Sequence, residues 1–269
     1  MWLIAPTAII LLGLFVIPQF LLLKESVVPP YPFGLSAYAR FFSDSFYIAM
    51  LARTFGLAVV VTVVCLALGF PIALWLARLE TRFVPILLLI TTFPLLVSAV
   101  VRSFAWMVLF FKSGLASQGL VAAGIVAPGY QLMGTFAGIV IALAQVMLPL
   151  MILTLFSMLR ALDRDLEHAA MNLGATPAAT TWLVILPQMK GALLAGSLLV
   201  FALSVGAFAT PSLIGSARVH LIAVAIQEQA LELFNWPFAA AMAMILLVTS
   251  VVISLVYSRV VSGAGHDSR

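Results

Sequence analysis

Residues 160–190 read RALDRDLEHAAMNLGATPAATTWLVILPQMK. Leu162, Leu166, Ala169/Ala170 and Leu173 recur at i, i+4, i+7/i+8 and i+11, which puts an apolar stripe on one face of a helix. Arg160, Asp163, Arg164, Glu167 and Asn172 fall largely outside that stripe. Gly174 follows the last stripe residue, where a helix commonly ends on a left-handed residue. Thr176 then suits an N-cap, and Pro177 suits the first turn of a second helix. That second helix carries Trp182, Leu183 and Ile185 and reaches Pro187. The segment predicts two short helices joined by a glycine turn.

Long apolar runs flank this segment on both sides. The chain has 269 residues, 64% hydrophobic and only 8% charged. Its mean hydropathy is +1.23. Soluble domains carry about 45–50% apolar and about 25% charged residues, so an ordinary cytosolic globule, a disordered chain and a nucleic-acid-binding domain are excluded. The net charge of +4 rests on 13 Lys/Arg against 9 Asp/Glu, which the loops of a membrane protein supply without any basic patch. The single cysteine, Cys65, rules out an intrachain disulfide and reads as a small packing residue.

A bilayer core about 30 Å thick needs roughly 20 apolar residues of helix. Six runs meet that length: Trp2–Leu23, Arg53–Ala77, Phe83–Phe111, Thr135–Leu159, Gly191–Ile214 and Pro237–Ser258. None alternates with period two, so each predicts a helix rather than a barrel strand. Pro18, Pro71, Pro94 and Pro149 are expected to mark kinks or ends. The first run lacks a basic leader and a small-residue cleavage site, and reads as a retained helix. Segments 78–82, 160–190 and 259–269 hold Arg78, Arg82, Arg160, Arg164, Lys190, Arg259 and Arg269. Segments 24–53, 112–134 and 215–236 hold Lys24, Arg40, Arg53, Lys112 and Arg218 at roughly half that density, which places both termini inside. Trp75, Trp106 and Trp236 fall near span ends, where an aromatic belt is expected. With no linker or short-period repeat, residues 1–269 read as one membrane domain.

An amphipathic helix pair in water needs something against its apolar face. Lipid surface, helix ends and a partner protein are the three possibilities. Ala169 and Ala170 at the centre of the stripe permit close approach, whereas a lipid-embedded helix favours bulky residues. That favours a protein groove.

The stretch His168-Ala169-Ala170-Met171-Asn172-Leu173-Gly174, then nine residues, then Val184-Ile185-Leu186-Pro187 resembles the EAA loop of bacterial ABC importer permeases. That pattern is Glu-Ala-Ala, three residues, Gly, nine residues, Ile-x-Leu-Pro. His168 stands at the motif's Glu position, with Glu167 one residue earlier, and Val184 replaces Ile. The substitution leaves the helix–Gly–helix geometry intact but departs from any ion pair made by the motif's Glu. Arg102-Ser103-Phe104-Ala105-Trp106, Gly206-Ala207-Phe208-Ala209-Thr210-Pro211, Leu213-Ile214-Gly215, Asn235–Ala240 and Tyr38–Phe46 are similar to segments of the spermidine/putrescine-type subfamily.

The resemblance implies an all-α fold of six transmembrane helices, the MetI-like fold of type I ABC importer permeases, in the bacterial cytoplasmic membrane. It implies a second homologous permease, two ATPase subunits that bind ATP and Mg, and a periplasmic solute-binding protein. Leu166, Glu167, His168, Ala169, Ala170, Leu173, Gly174, Leu186 and Pro187 would then couple the spans to an ATPase. Polyamines, opines and related small solutes are the substrates it brings to mind. A stand-alone secondary transporter or channel is the alternative, but it needs no EAA-spaced loop and usually carries intramembrane acids.

The chain itself carries no phosphate-binding P-loop and no nucleophile elbow. His168, His220 and His266 sit in three separate segments, which predicts surface residues rather than a metal site. The chain therefore reads as a permease and not an enzyme. Thr91, Thr92, Ser98, Arg102, Gln145, Ser204 and Thr210 are the candidates to line a pathway. Arg102 is the one charge well inside an apolar run, and counting about 20 residues from Phe83 at 1.5 Å each puts it toward the outer interface. Anchoring and substrate contact are both open for it. Gln145 must find a partner in mid-span, either solute or another helix. Three weaker patterns complete the reading: a small stripe of Ala202, Gly206 and Thr210, a GxxxG at Gly134 and Gly138, and the i, i+4 pair Glu228 and Glu232.

Overall fold

The computed structural model describes residues 4–27, 35–216 and 219–263. Trp2, Arg218, His266 and Arg269, which entered the sequence reading, lie outside them. All the regular elements of the described residues are helices. Four are long and apolar enough to cross a membrane: Ser45–Arg78, Ala99–Ala122, Phe136–Ala161 and Trp236–Arg259. Pro177–Gln188 and Lys190–Val205, bent by 74°, make a fifth when taken as one span. The first expected run forms α1 (Ile4–Ser26), with Pro18 inside it.

The expected runs and the helices differ where the backbone breaks. Phe83–Phe111 divides into α4 (Val84–Leu96) and α5 (Ala99–Phe110), because Pro94 removes a helical N–H and Val97 and Ser98 turn extended. Gly191–Ile214 divides into α11 (Lys190–Val205) and α12 (Ala209–Ile214) around Gly206. The stripe Ala202, Gly206, Thr210 therefore spans a break and is no helix face. Pro71 and Pro149, by contrast, sit inside the unbroken helices α3 (Ser45–Arg78) and α7 (Phe136–Ala161). The segment 112–134 holds a short helix, α6 (Leu115–Ala122). The final long helix, α14, spans Trp236–Gly263.

The chain divides into two compact units. The first comprises residues 1–54 and 220–253. Its core joins Ala37 and Phe41 of α2 (Ser36–Ser43), Met50 of α3, Ile222 and Ala225 of α13 (Ile222–Gln227), and Phe238, Ala241, Met242 and Ile245 of α14. Tyr47 stacks on Phe41 and meets the Phe238 ring edge-on at 5.1 Å. Thr54 Oγ1 accepts the Ile222 N–H (3.0 Å) and donates to Met50 O (2.9 Å), which satisfies the first turn of α13.

The second unit comprises residues 55–219 and 254–269 and is organised on α7. In α7, 56% of the apolar window is buried, against 17–33% in the other three spanning helices. It packs on α4, α5, α11 and α12. Cys65 of α3 donates its thiol to Ala144 O of α7 (3.6 Å), consistent with a packing role. Met151 of α7 is fully buried between Gly69 of α3 and Gly196 of α11. A Cβ on Gly69 would stand 3.0 Å from Met151 Cγ, and one on Gly196 2.9 Å from Met151 Sδ. Two glycines thus let three helices close on one flexible side chain. Gly134, one half of the GxxxG pattern, is a left-handed turn residue (φ +77°) ahead of α7. Gly138 faces Leu132 O, where a Cβ would clash at 2.4 Å, so the pair shapes a turn rather than a helix seam.

Gly69→Leu and Gly196→Leu are expected to destabilise the protein by about 1–3 kcal/mol each through overpacking. Adding Met151→Ala should recover part of the loss. Thermal unfolding in detergent reads both effects, and unchanged melting of the two glycine variants would show that these helices do not close on Met151.

Candidate functional site

The segment 160–190 folds as the two short helices expected. Helix α8 (Asp165–Asn172) ends on Gly174 at φ +89°. The Ala175 N–H reaches Ala170 O (3.1 Å) and the Gly174 N–H reaches Met171 O (2.9 Å), the paired bonds of a Schellman turn. Nothing lies within 4 Å of where a Gly174 Cβ would stand, so backbone conformation alone demands the glycine there. Thr176 caps α9 (Pro177–Thr180) by accepting the Ala179 N–H (3.2 Å). A π-helical turn at Thr181–Ile185 then leads into α10 (Leu186–Gln188).

The two helices differ in burial. Thr180, Ile185 and Met189 are buried beneath the second. No residue of α8 is buried. Leu166, His168, Ala169 and Pro187 are exposed, while Ala170 and Leu186 are half-buried. Leu173, Trp182 and Leu183 are 89%, 69% and 76% exposed. An apolar surface thus stands uncovered on a helix pair whose turn and second cap are fully hydrogen-bonded.

Glu167 alone of the α8 candidates turns toward the spans, where it pairs with Arg78 at the end of α3. Arg164 pairs with Glu80. Neither Arg78 nor Glu80 was singled out from the sequence beyond the loop-charge count. Their available signal was the sequence Arg78-Leu79-Glu80 following an apolar run directly.

The pathway candidates do not gather at one point. Arg102 Nη1 donates to Pro94 O (2.7 Å) and Val97 O (3.2 Å). It thereby satisfies carbonyls at the break between α4 and α5. Thr91 and Thr92 hydroxyls bond back to Leu87 O and Leu88 O of their own helix. Ser98 is exposed at the N-terminus of α5 and makes no side-chain cap. Gln145 Oε1 accepts the Trp106 indole N–H (2.9 Å), an interhelical bond between α7 and α5. Trp106 therefore faces another helix, whereas Trp75 and Trp236 are exposed. Ser103 Oγ lies 3.3 Å from Thr210 Oγ1, tying α5 to α12. The Ser204 hydroxyl is buried without a hydrogen-bond partner. Glu228 and Glu232 fall on a π-helical turn; Glu228 faces His220 at 3.6 Å, and Glu232 is exposed. No cluster of three His, Cys, Asp or Glu capable of holding a metal occurs among the described residues.

These features define a multi-pass helical membrane protein with a braced, surface-presenting helix pair between two spans. Residues 66–263 match the family of binding-protein-dependent transport system inner membrane components. The spermidine/putrescine transport system permease protein PotB of Escherichia coli is 31% identical over 84% of this chain and 82% of its own length. The molybdenum transport system permease protein ModB of Mycobacterium tuberculosis is 33% identical over 72% of each. The fold matches a bacterial ABC transporter involved in the import of the acidic polysaccharide alginate (TM-score 0.78, 15% identity, 97% of this chain and 95% of that one). It also matches the alginate transporter in complex with its alginate pentasaccharide-bound periplasmic protein (TM-score 0.81, 14% identity, 98% and 94%). The chain belongs to the family of binding-protein-dependent transport system inner membrane components, and is a permease subunit of an ABC importer.

Arg102→Ala is expected to destabilise the protein by about 1–3 kcal/mol, because two carbonyls in a span lose their donor. Arg102→Lys should recover part of that. Melting temperatures of the purified variants check it; parental melting of Arg102→Ala would return the residue to the pathway.

Proposed function

We propose that this permease takes up a small polar solute delivered by a periplasmic solute-binding protein, in concert with a second, homologous permease. Two cytoplasmic ATPase subunits bind ATP and Mg, and one of them receives the helix pair 165–188 in a groove. Both termini then lie in the cytoplasm, and residues 1–269 act as one permease domain in the bacterial inner membrane.

The observation that carries this reading is the exposed face of Leu166, Leu173, Trp182 and Leu183 on a helix pair with a completed turn. Burying one such leucine is worth about 1.5–3 kcal/mol, so a groove that covered this face would hold it firmly. Leu166, His168, Ala169, Ala170, Leu173, Leu186 and Pro187 form or border the docking surface, Gly174 sets the turn, and Glu167 holds α8 to the spans. ATP binding draws the ATPases together and shifts both coupling elements, and the spans exchange inward-facing for outward-facing packing. Thr91, Thr92, Ser98, Gln145, Ser204 and Thr210 are the polar groups nearest a pathway. Of these, Ser98 has an exposed hydroxyl and Ser204 a buried one without a partner, and both are left for a solute or the second permease.

The relatives carry different cargo on one fold, and polyamines, opines and related small solutes fit this subfamily best. No acid lies in the interior of the described spanning helices. A polycation would therefore meet its carboxylates in the binding protein or in the second permease.

The transporter reconstituted with its ATPase should hydrolyse ATP faster when binding protein is added with one ligand of a panel headed by spermidine and putrescine. Gly174→Asp places a side chain at φ +89°, a strain of about 1–2 kcal/mol, and should abolish that stimulation. Normal ATPase association and stimulation in Gly174→Asp would remove the coupling role.

A further inference from the structure

The inner ends of α3 and α7 exchange arginines. A helix C-terminus leaves carbonyls without partners and carries partial negative charge. Arg78, the last residue of α3, donates Nη1 to Leu159 O in the last turn of α7 (3.2 Å). Arg164, just beyond α7, donates Nη2 to Ala77 O in the last turn of α3 (3.2 Å). Each helix end is thus capped by the other's arginine. The second arm of each guanidinium holds a carboxylate: Glu167 of α8 on Arg78, and Glu80 on Arg164.

The two ion pairs are unequal. Glu80 is 75% exposed, and such a solvent-screened pair contributes little. Glu167 is only 12% exposed and faces a guanidinium already fixed by a carbonyl, so it meets its partner with little loss of freedom. Helix α8 buries no residue of its own. Its packing is with α9 and the π-turn after it, so Glu167 provides its direct tie to α3.

We propose that Arg78, Arg164 and Glu167 form a clasp that makes α8 and the inner ends of α3 and α7 move as one body. A displacement of the docking helix then reaches two spans together rather than being absorbed at the Leu162–Arg164 corner. All three are positioning residues. The proposal rests on the reading of α8 as the ATPase-docking helix. It also gives the acid one place before His168 a role inside the permease.

The test uses the transporter assembled with its ATPase in lipid nanodiscs, with spin labels at Asn172→Cys and Ser157→Cys. Both positions are exposed, and the native Cys65 is buried. The distance between labels is measured with and without Mg and a non-hydrolysable ATP analogue. In the otherwise native chain it is expected to stay constant. In Glu167→Gln, and separately in Arg164→Gln, nucleotide should shift or broaden it, by up to the roughly 5.4 Å of a one-turn slip. A nucleotide-dependent shift in the native chain, or constancy in both variants, overturns the clasp while docking stands. Failure of the native chain to co-purify with the ATPase overturns the docking reading instead.

Discussion

Backbone polar groups in hydrocarbon have no water to turn to, and this one constraint bears on the breaks between the apolar helices. The chain is not a set of straight rods. It breaks at Val97–Ser98, at Gly206–Phe208 and at the turns beside α6 and α13. At three of these a specific side chain supplies the donor or acceptor. Arg102 takes the carbonyls of Pro94 and Val97. The Ser117 hydroxyl bridges Phe110 O and the Leu132 N–H. Thr54 receives the first N–H of α13. The Gly134 N–H reaches Ile214 O, and the Ser216 hydroxyl answers to Gly134 O. Polar residues in the spans are thus largely committed to holding backbone.

That commitment bears on the pathway. Gln145 Oε1 accepts the Trp106 indole N–H and Ser103 lies within hydrogen-bond reach of Thr210, so these pairs tie α5 to α7 and α12.

The helix pair of residues 160–190 follows different physics, that of a turn between two short helices. Its turn is specified by Gly174, its second cap by Thr176, and its inner side by Ile185 and Met189. What remains exposed is a face without a partner in this chain. Few contacts fix that face: the buried Thr180, Ile185 and Met189 beneath the second helix, and one shielded carboxylate on the first.

Periodicity and turn chemistry made much of this legible in advance. The apolar runs marked the spans because the requirement for length and apolarity is a local sum over about 20 residues. Gly174, Thr176 and Pro177 marked the turn between α8 and α9 because left-handed backbone, an N-cap and a first-turn proline are each properties of one position. What the sequence could not show is which carbonyl goes unpaired and which distant side chain answers it. Pro94 ended its helix while Pro71 and Pro149 did not, and only the surrounding packing distinguishes them. Arg102 looked like a lone charge until the break it serves was visible. Arg78 and Arg164 looked like two loop cations until the ends of α3 and α7 came together. The sequence by itself determined the helical apolar runs, the family and the shape of the turn at Gly174, because those depend on near neighbours. The tertiary structure decided the charge partners at the ends of α3 and α7, because those depend on atoms brought together from residues more than 80 positions apart.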